Sequence, residues 1–449
     1  MARTLFGTDG IRGVAGEYPL DPRTVTAVGS ALGAWIVRSG HEQQVVIGMD
    51  TRESGPELAS LIAGGLALHG VGVDFAGVTT TPGVAYLAKN GPFAAGVMIS
   101  ASHNPYQDNG IKVLGHNGYK LADELEEALE QEILASVRDG IAPRPVELNV
   151  DKTLDRTYID HLASTLSRSL EGLNIVIDCA NGSACELAPK LLGRLGATVH
   201  TIAAAPDGRN INLNCGSLHV ETLREAVLQK GAQVGVAFDG DADRALFISA
   251  SGRLIDGDAV LLIASRFLKD QGRLPGNGDG PIVVATVMSN LGLELALASH
   301  GIKLVRTPVG DKYVLEEMLR MGAALGGEQS GHVIFREFAT TGDGMLTALR
   351  IFDVMTARAA SLDDLVAEMK TFPQVLVNVR VKEKKPLDQL PEVQREIRQA
   401  EAAFGNSGRV LVRFSGTEPL VRVMVEGSDA AMVDEYVQRI ADRIRSDMV

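Results

Sequence analysis

At 449 residues and a formal net charge of −13, from 56 acidic against 43 basic side chains, the chain is too long for one compact domain and carries no basic run suited to a nucleic-acid backbone. Three cysteines (Cys179, Cys185, Cys215) without zinc-ligand spacing argue against a disulfide framework and for a reducing compartment. No apolar stretch is long enough to span a bilayer or act as a secretory signal, so the expectation is a cytoplasmic protein that binds neither nucleic acid nor membrane.

The chain opens on a Gly-bracketed polar loop, Thr8-Asp9-Gly10-Ile11-Arg12-Gly13. A β-rich run, Val45 to Gly48, then precedes Asp50-Thr51-Arg52-Glu53-Ser54 and a helix-like segment. The same order returns twice: Ile175–Ile177 before Asp178-Cys179-Ala180-Asn181-Gly182-Ser183, and Ile282–Val284 before Thr286-Val287-Met288-Ser289-Asn290. Continuous apolar strands alternating with helices predict three related α/β units, with parallel or mostly parallel sheets covered on both faces.

Within the first unit, Val97-Met98-Ile99 delivers Ser100, Ser102 and His103 into a segment whose Asn104-Pro105 and Asn109-Gly110 pairs form turns, which predicts an exposed loop. Ser102, beside His103 and ten residues before Lys112, is a candidate nucleophile with proton handlers nearby. Adjacency in sequence leaves open a blander reading, a capped turn with Ser102 as a helix N-cap. An acidic helix expected over Asp123–Arg138 leads into the connector Ile141 to Val146.

In the second unit the run Val234–Phe238 precedes Asp239, Asp241 and Asp243, three carboxylates within five residues. Their mutual repulsion is relieved by a hard divalent cation, and Mg²⁺ needs only a few carboxylates while keeping places for water or a phosphate oxygen. An acidic surface turn is the alternative, and an EF-hand is excluded because its final Glu is missing. Asp256-Gly257-Asp258 closes a strand pair and precedes a helix expected from near Ala259, which is assigned to the third unit; that unit should end near Lys370 to Pro373. It contains a polar loop, Thr307-Pro308-Val309-Gly310-Asp311-Lys312, and Gly326-Gly327-Glu328-Gln329-Ser330-Gly331-His332. Glu328, Ser330 and His332 suit polyol hydroxyls, although a polar Gly turn explains them nearly as well.

The last segment differs in kind. Strands over Val375–Val381, Val410–Phe414 and Leu420–Glu426, with amphipathic helices over Pro391–Phe404 and Ala430–Met448, predict a small α+β domain. Arg413-Phe414-Ser415-Gly416-Thr417-Glu418-Pro419, followed by Arg422, offers guanidinium forks, hydroxyls and backbone N–H groups to a phosphate dianion. A hairpin turn with solvated arginines is the alternative.

Taken in order, Ser-Ala-Ser-His-Asn-Pro (100–105), Asp-Gly-Asp-Ala-Asp-Arg (239–244), Gly-Glu-Gln-Ser-Gly-His (327–332) and Arg-Phe-Ser-Gly-Thr-Glu-Pro (413–419) resemble the four loops of the α-D-phosphohexomutase superfamily, over the whole chain. Phe6–Gly13, Gln329 and Leu420–Gly427 resemble its branch acting on glucosamine phosphates. The resemblance implies a heart-shaped α/β molecule of four domains: three related α/β domains with mixed, mostly parallel sheets (1–146, 147–256, 257–371) and a C-terminal α+β domain (372–449), each giving one loop to a central cleft.

By the same resemblance, Ser102 carries the transferable phosphate, while Asp239, Asp241 and Asp243 hold one Mg²⁺ together with a phosphoserine oxygen. Lys112 handles the proton, supported by His103, Arg12, Arg244 and His332. Thr307, Glu328, Ser330 and His332 meet the sugar; Arg413, Ser415, Gly416, Thr417 and Arg422 grip the phosphate not being transferred. The implied reaction interconverts glucosamine 6-phosphate and glucosamine 1-phosphate through the 1,6-bisphosphate, for UDP-N-acetylglucosamine and cell-wall precursor synthesis. Glucosamine or glucose 1,6-bisphosphate is the implied activator. Alternatives are glucose or mannose phosphates on the same scaffold, a Mg²⁺-dependent phosphatase phosphorylated on Asp239, and a non-catalytic sugar-phosphate sensor. The family further implies a homodimer, loading of Ser102 by a kinase or by autophosphorylation, and contact with a cyclic-dinucleotide synthase.

Overall fold

The computed structural model describes residues 5–7, 9–277, 280–382, 385–415 and 419–448. In the first sheet, Gln44–Met49 pairs in parallel with Gly72–Val78 and Ala95–Ile99. Asp108–Gly115, Gly10–Val14 and Phe6–Gly7 continue the sheet antiparallel beyond Ala95–Ile99. Alternation along each strand assigns the faces. Val45, Ile47, Val97 and Ile99 pack with apolar residues of helices Pro22–Ser39, Gly55–Ala67 and Asp123–Arg138, whereas Val46 and Met98 pack with those of Thr81–Asn90. The sheet is therefore covered on both sides, as continuous apolar strands require.

The other two sheets repeat the plan. Asn174–Asp178 pairs in parallel with Thr198–Ile202 and Val234–Phe238, to which Ala245–Ser249 and Leu254–Ile255 are added antiparallel. In the third, Gly280–Thr286 runs parallel to Leu325–Gly327, which then pairs antiparallel with Val333–Phe335. All three sheets are mixed. The loops read as chemically active, 100–107, 239–244 and 328–332, each join an antiparallel pair. Sequence patterning could not separate those hairpins from parallel pairs. Ala95–Ile99, Val234–Phe238 and Ala245–Ser249 are buried at every position and so lack an exposed alternating face.

These elements belong to a first unit comprising Met1–Val287 and Val305–Val366; a second comprises Met288–Leu304 and Ala367–Val449. The second unit is built on Gln374–Arg380, Leu420–Gly427 and Gly408–Phe414, antiparallel in that order, with Pro391–Phe404 and Ala430–Met448 closing one apolar core. Asn290 fastens Met288–Leu304 to it, donating to the Phe372 carbonyl and accepting from the Phe372 N–H, both at 2.9 Å.

Helices Pro22–Ser39 and Gly55–Ala67 approach so closely that a Cβ on Gly65 would lie 2.2 Å from the Thr26 carbonyl oxygen, and one on Gly29 2.1 Å from that of Ile62. Backbone cannot yield as a flexible side chain can. Gly65→Ala should therefore destabilise by about 1–3 kcal/mol despite Ala's better helix propensity. Gly193→Ala, in helix Ala184–Arg194 where an added Cβ meets nothing within 4 Å, should not lower the melting temperature. Scanning calorimetry of both variants checks the contrast.

Asp343 caps helix Gly344–Arg358, accepting from the Leu346 N–H at 2.9 Å and from the Tyr158 hydroxyl at 2.7 Å. Burial outweighs these bonds and pushes its carboxyl up to about 6. Because the folded value lies above the unfolded one, the group favours the fold at low pH, and that contribution is lost as pH rises from about 4 through about 6. Asp343→Asn keeps a capping oxygen without the charge. Relative to the parent it should gain stability across that window, by up to about 3 kcal/mol, so a melting-temperature difference that does not grow from pH 4 to pH 7 refutes the assignment.

Candidate active site

The loop carrying Ser102 is held from behind by a buried ion pair. Asp50 and Arg52 follow strand Gln44–Met49, their side chains fully buried and 2.8 Å apart. The Arg52 fork donates to the carbonyls of Ser102 (3.0 Å), Asn104 (2.9 Å), Asp108 (2.8 Å) and Pro105. Asp50 accepts from the Ser100 hydroxyl at 2.6 Å, and the Ser100 oxygen accepts from the Ser102 N–H at 2.9 Å. Asn212 adds donors to the Ser102 and Asn104 carbonyls. Ser102 thereby sits in the left-handed region at φ 52°, a conformation costing a non-glycine residue about 1–3 kcal/mol unless its surroundings fix it.

The loop is exposed at Pro105 and Gln107, but the expectation of an exposed Ser102 is corrected: it is only 2% exposed, because Arg52, Asn212 and the acidic loop close over it. The N-cap alternative also falls, since strand Asp108–Gly115 follows the loop and no helix starts there.

The acidic loop meets Ser102 directly. Ser102 Oγ donates to Asp239 Oδ2 at 2.6 Å. Gly240 permits the approach, for a Cβ there would lie 2.4 Å from the Ser102 carbonyl oxygen. Ligand atoms of Asp239, Asp241 and Asp243 lie within 4.8 Å of one another, and all three residues are buried. Asp241 Oδ1 and Asp243 Oδ1 are buried and accept no hydrogen bond. A converging set of hard carboxylate oxygens with two lone-pair sites left over fits a divalent cation.

The electrostatics are uneven. Burial, then Asp243 and Asp241, raise the Asp239 carboxyl well above the usual range. Burial also opposes ionisation of Asp241, but Lys112 at 2.9 Å and the Thr81 hydroxyl at 2.5 Å outweigh it and hold that carboxyl low. Lys112 is itself buried, yet Asp241, Asp9 at 3.2 Å and Asp243 keep it protonated. Arg12 pairs with Asp9 and donates to the Ala101 carbonyl at 2.8 Å. His103 Nδ1 lies 3.4 Å from Ser102 Oγ; burial, then Arg244 and Arg12, lower its value to about 4, so the ring is neutral at neutral pH. The buried His332 behaves oppositely: Asp243, 3.5 Å away, overcomes desolvation and raises it to about 9.

The third loop adjoins the second through a bridge between Arg244 and His332 and a bond from the Ala245 N–H to the Gly331 carbonyl at 3.1 Å. Glu328 is half-buried and accepts from the Gly310 N–H at 3.1 Å, Ser330 is exposed, and Thr307 is buried with its hydroxyl on the Pro308 carbonyl. In the second unit, Arg413 and Arg422 are direct partners across adjacent strands, and Arg422 reaches the buried Ser415 hydroxyl at 3.5 Å. Burial and the facing Arg422 both lower the Arg413 guanidinium value. Like charges placed opposite each other are costly alone and suit an anion. Gly416 and Thr417 lie outside the described residues.

Sequence reasoning missed Thr81, Asp9 and the Asp50–Arg52 support. The last was visible as a polar loop after a strand, and Thr80-Thr81-Pro82 as a helix start, but nothing in either pattern names its partner 50 to 160 residues away.

With this geometry stand the comparisons. Residues 3–138, 156–252 and 256–372 match domains I, II and III of the phosphoglucomutase/phosphomannomutase family, and residues 376–443 its C-terminal domain. The phosphoglucosamine mutase of Solibacter usitatus is 59% identical over 448 residues, covering 100% of both chains. That of Koribacter versatilis is 48% identical, covering 99% of this chain and 97% of its own. A phosphoglucomutase/phosphomannomutase family protein from Burkholderia thailandensis has the same fold, with a TM-score of 0.80 at 24% identity over 98% of this chain and 97% of that one. Aspergillus fumigatus N-acetylphosphoglucosamine mutase, solved with GlcNAc-6P and magnesium, gives 0.66 at 18% identity over 99% and 96%. No helix among the described residues is long and apolar enough to cross a membrane. Four matched domains and full-length relatives of this similarity establish that the chain belongs to the phosphoglucomutase/phosphomannomutase family and, within it, to the phosphoglucosamine mutases.

Proposed function

We propose that the protein interconverts glucosamine 6-phosphate and glucosamine 1-phosphate, using phosphorylated Ser102 as the donor and acceptor of the phosphoryl group. The observation that carries this is the 2.6 Å contact of Ser102 Oγ with a buried carboxylate triad in which two oxygens accept no hydrogen bond. Phosphoryl transfer needs positioning and charge neutralisation more than covalent participation. Mg²⁺ held by Asp239, Asp241, Asp243 and a phosphoserine oxygen would supply the countercharge that those carboxylates and the phosphate need.

The chain's own residues do the rest. Arg52, Asp50, Ser100 and Asn212 fix the Ser102 backbone, so its Oγ does not have to be ordered at each turnover. In the first half-reaction the Ser102 O–P bond breaks and an O–P bond forms to the free sugar hydroxyl, giving the 1,6-bisphosphate. Lys112, held protonated, is assigned to give its proton to Ser102 Oγ and recover one from the sugar hydroxyl. His103, Arg12, Arg244 and His332 support it. After the bisphosphate turns around, the other phosphate returns to Ser102. Thr307, Glu328, Ser330 and His332 are assigned to the sugar, and Arg413, Ser415, Arg422, Gly416 and Thr417 to the phosphate not in transit, a clamp suited to either end.

We also propose four domains with boundaries near 146, 256 and 371, a cytoplasmic homodimer, a bisphosphate activator, and loading of Ser102 by a kinase or by autophosphorylation. A cyclic-dinucleotide synthase remains a partner suggested by family resemblance.

Ser102→Ala should abolish turnover while leaving the melting temperature and sugar-phosphate binding nearly unchanged; residual turnover would reassign the phosphate carrier. A coupled assay should favour glucosamine 6-phosphate over glucose 6-phosphate and lose activity with chelator. The sugars differ at one carbon, where a hydrogen bond is worth about 1 kcal/mol or somewhat more. Equal or faster turnover of the glucose ester would move the assignment to the phosphoglucomutase/phosphomannomutase reaction.

A further inference from the structure

One contact at the acidic loop has no role in the mechanism above. Thr81 is the first residue of helix Thr81–Asn90, capped by Thr80 Oγ1 accepting from the Gly83 N–H at 3.0 Å and followed by Pro82. It is 4% exposed and grips Asp241 twice: its N–H donates to the Asp241 carbonyl at 3.1 Å and its hydroxyl to Asp241 Oδ2 at 2.5 Å. Lys112 Nζ donates to that same Oδ2 at 2.9 Å, while Oδ1 is buried and accepts nothing.

We propose that Thr81 is a positioning residue for the metal site, fixing the Asp241 carboxylate so that Oδ1 is presented to a divalent cation. This rests on the reading of the three aspartates as cation ligands. A carboxylate can rotate about its Cβ–Cγ bond and exchange its oxygens. Two donors on one oxygen make that exchange costly, because both would lose their acceptor inside a buried site. Lys112 alone is a weaker restraint: its ammonium sits on a flexible stem and also faces Asp9 and Asp243. Thr81 has a short side chain on a backbone fixed by a helix start, so its hydroxyl sets a direction. Hydrogen bonds of this outer kind typically govern metal affinity by about tenfold to hundredfold.

The test separates the hydroxyl from the methyl group. Thr81→Val keeps the shape without the donor; Thr81→Ser keeps the donor without the methyl. Mn²⁺ binding to the full-length protein is followed by the loss of the free-ion electron paramagnetic resonance signal, with circular dichroism to check folding. The dissociation constant should rise about tenfold or more in Thr81→Val and stay within about threefold of the parent in Thr81→Ser. A folded Thr81→Val with parental affinity, or equal losses in both variants, overturns the inference. If Thr81→Val does not fold, Thr81→Ala carries the same expectation, and failure of both to fold makes Thr81 a folding residue and overturns the proposal. Absence of Mn²⁺ binding by the parent protein would instead overturn the underlying reading of the aspartates.

Discussion

Three carboxylates buried in one short loop cannot all ionise without compensating charge, and the arrangement around Asp239, Asp241 and Asp243 follows from that constraint. Arg244 in the same loop supplies part of the compensation, and the rest comes from distant parts of the chain. Lys112 arrives on strand Asp108–Gly115, Thr81 on the start of a helix, and His332 on the loop between Leu325–Gly327 and Val333–Phe335. It is also incomplete. Asp241 is held ionised, yet Asp239 is pushed towards its protonated form, and two buried oxygens accept nothing. Such a set fits a hard cation.

The second constraint is backbone conformation. Ser102 adopts a left-handed φ that a serine would not choose, and the Asp50–Arg52 pair holds it there. Removing two charges from water is expensive, and a buried ion pair seldom improves stability over an apolar replacement. Its use here is geometric. One planar guanidinium donates to four loop carbonyls, two of them shared with Asn212, and so defines where the Ser102 hydroxyl points. In the C-terminal unit Arg413 and Arg422 likewise stand directly opposite each other on paired strands, and burial together with the facing Arg422 lowers the Arg413 guanidinium value.

Hairpins join these features. Parallel strand pairs lie within each of the three mixed sheets, but the loops carrying Ser102, the aspartates and Glu328 each connect an antiparallel pair. A loop tied at both ends by ladder hydrogen bonds keeps its shape better than one tied at one end. That suits loops whose residues meet one another at hydrogen-bond distances.

Much of this was legible in the residues alone. The apolar runs located strands Gln44–Met49, Asn174–Asp178 and Gly280–Thr286 to within two residues, and the helices Asp123–Arg138, Pro391–Phe404 and Ala430–Met448 matched their expected limits, because periodicity and turn residues act locally. Ser102 and the acidic triad stood out as candidates for the same reason, as each lies within one short stretch whose composition is unusual. What the tertiary structure alone decided is which distant groups touch: that Ser102 is buried rather than exposed, that Arg52 and Asn212 hold its carbonyl, that Thr81 reaches Asp241, and that His332 is driven towards the charged form while His103 is driven towards the neutral one. Burial and charge pairing depend on separation in space, and no local pattern in a chain encodes a neighbour fifty or more residues away.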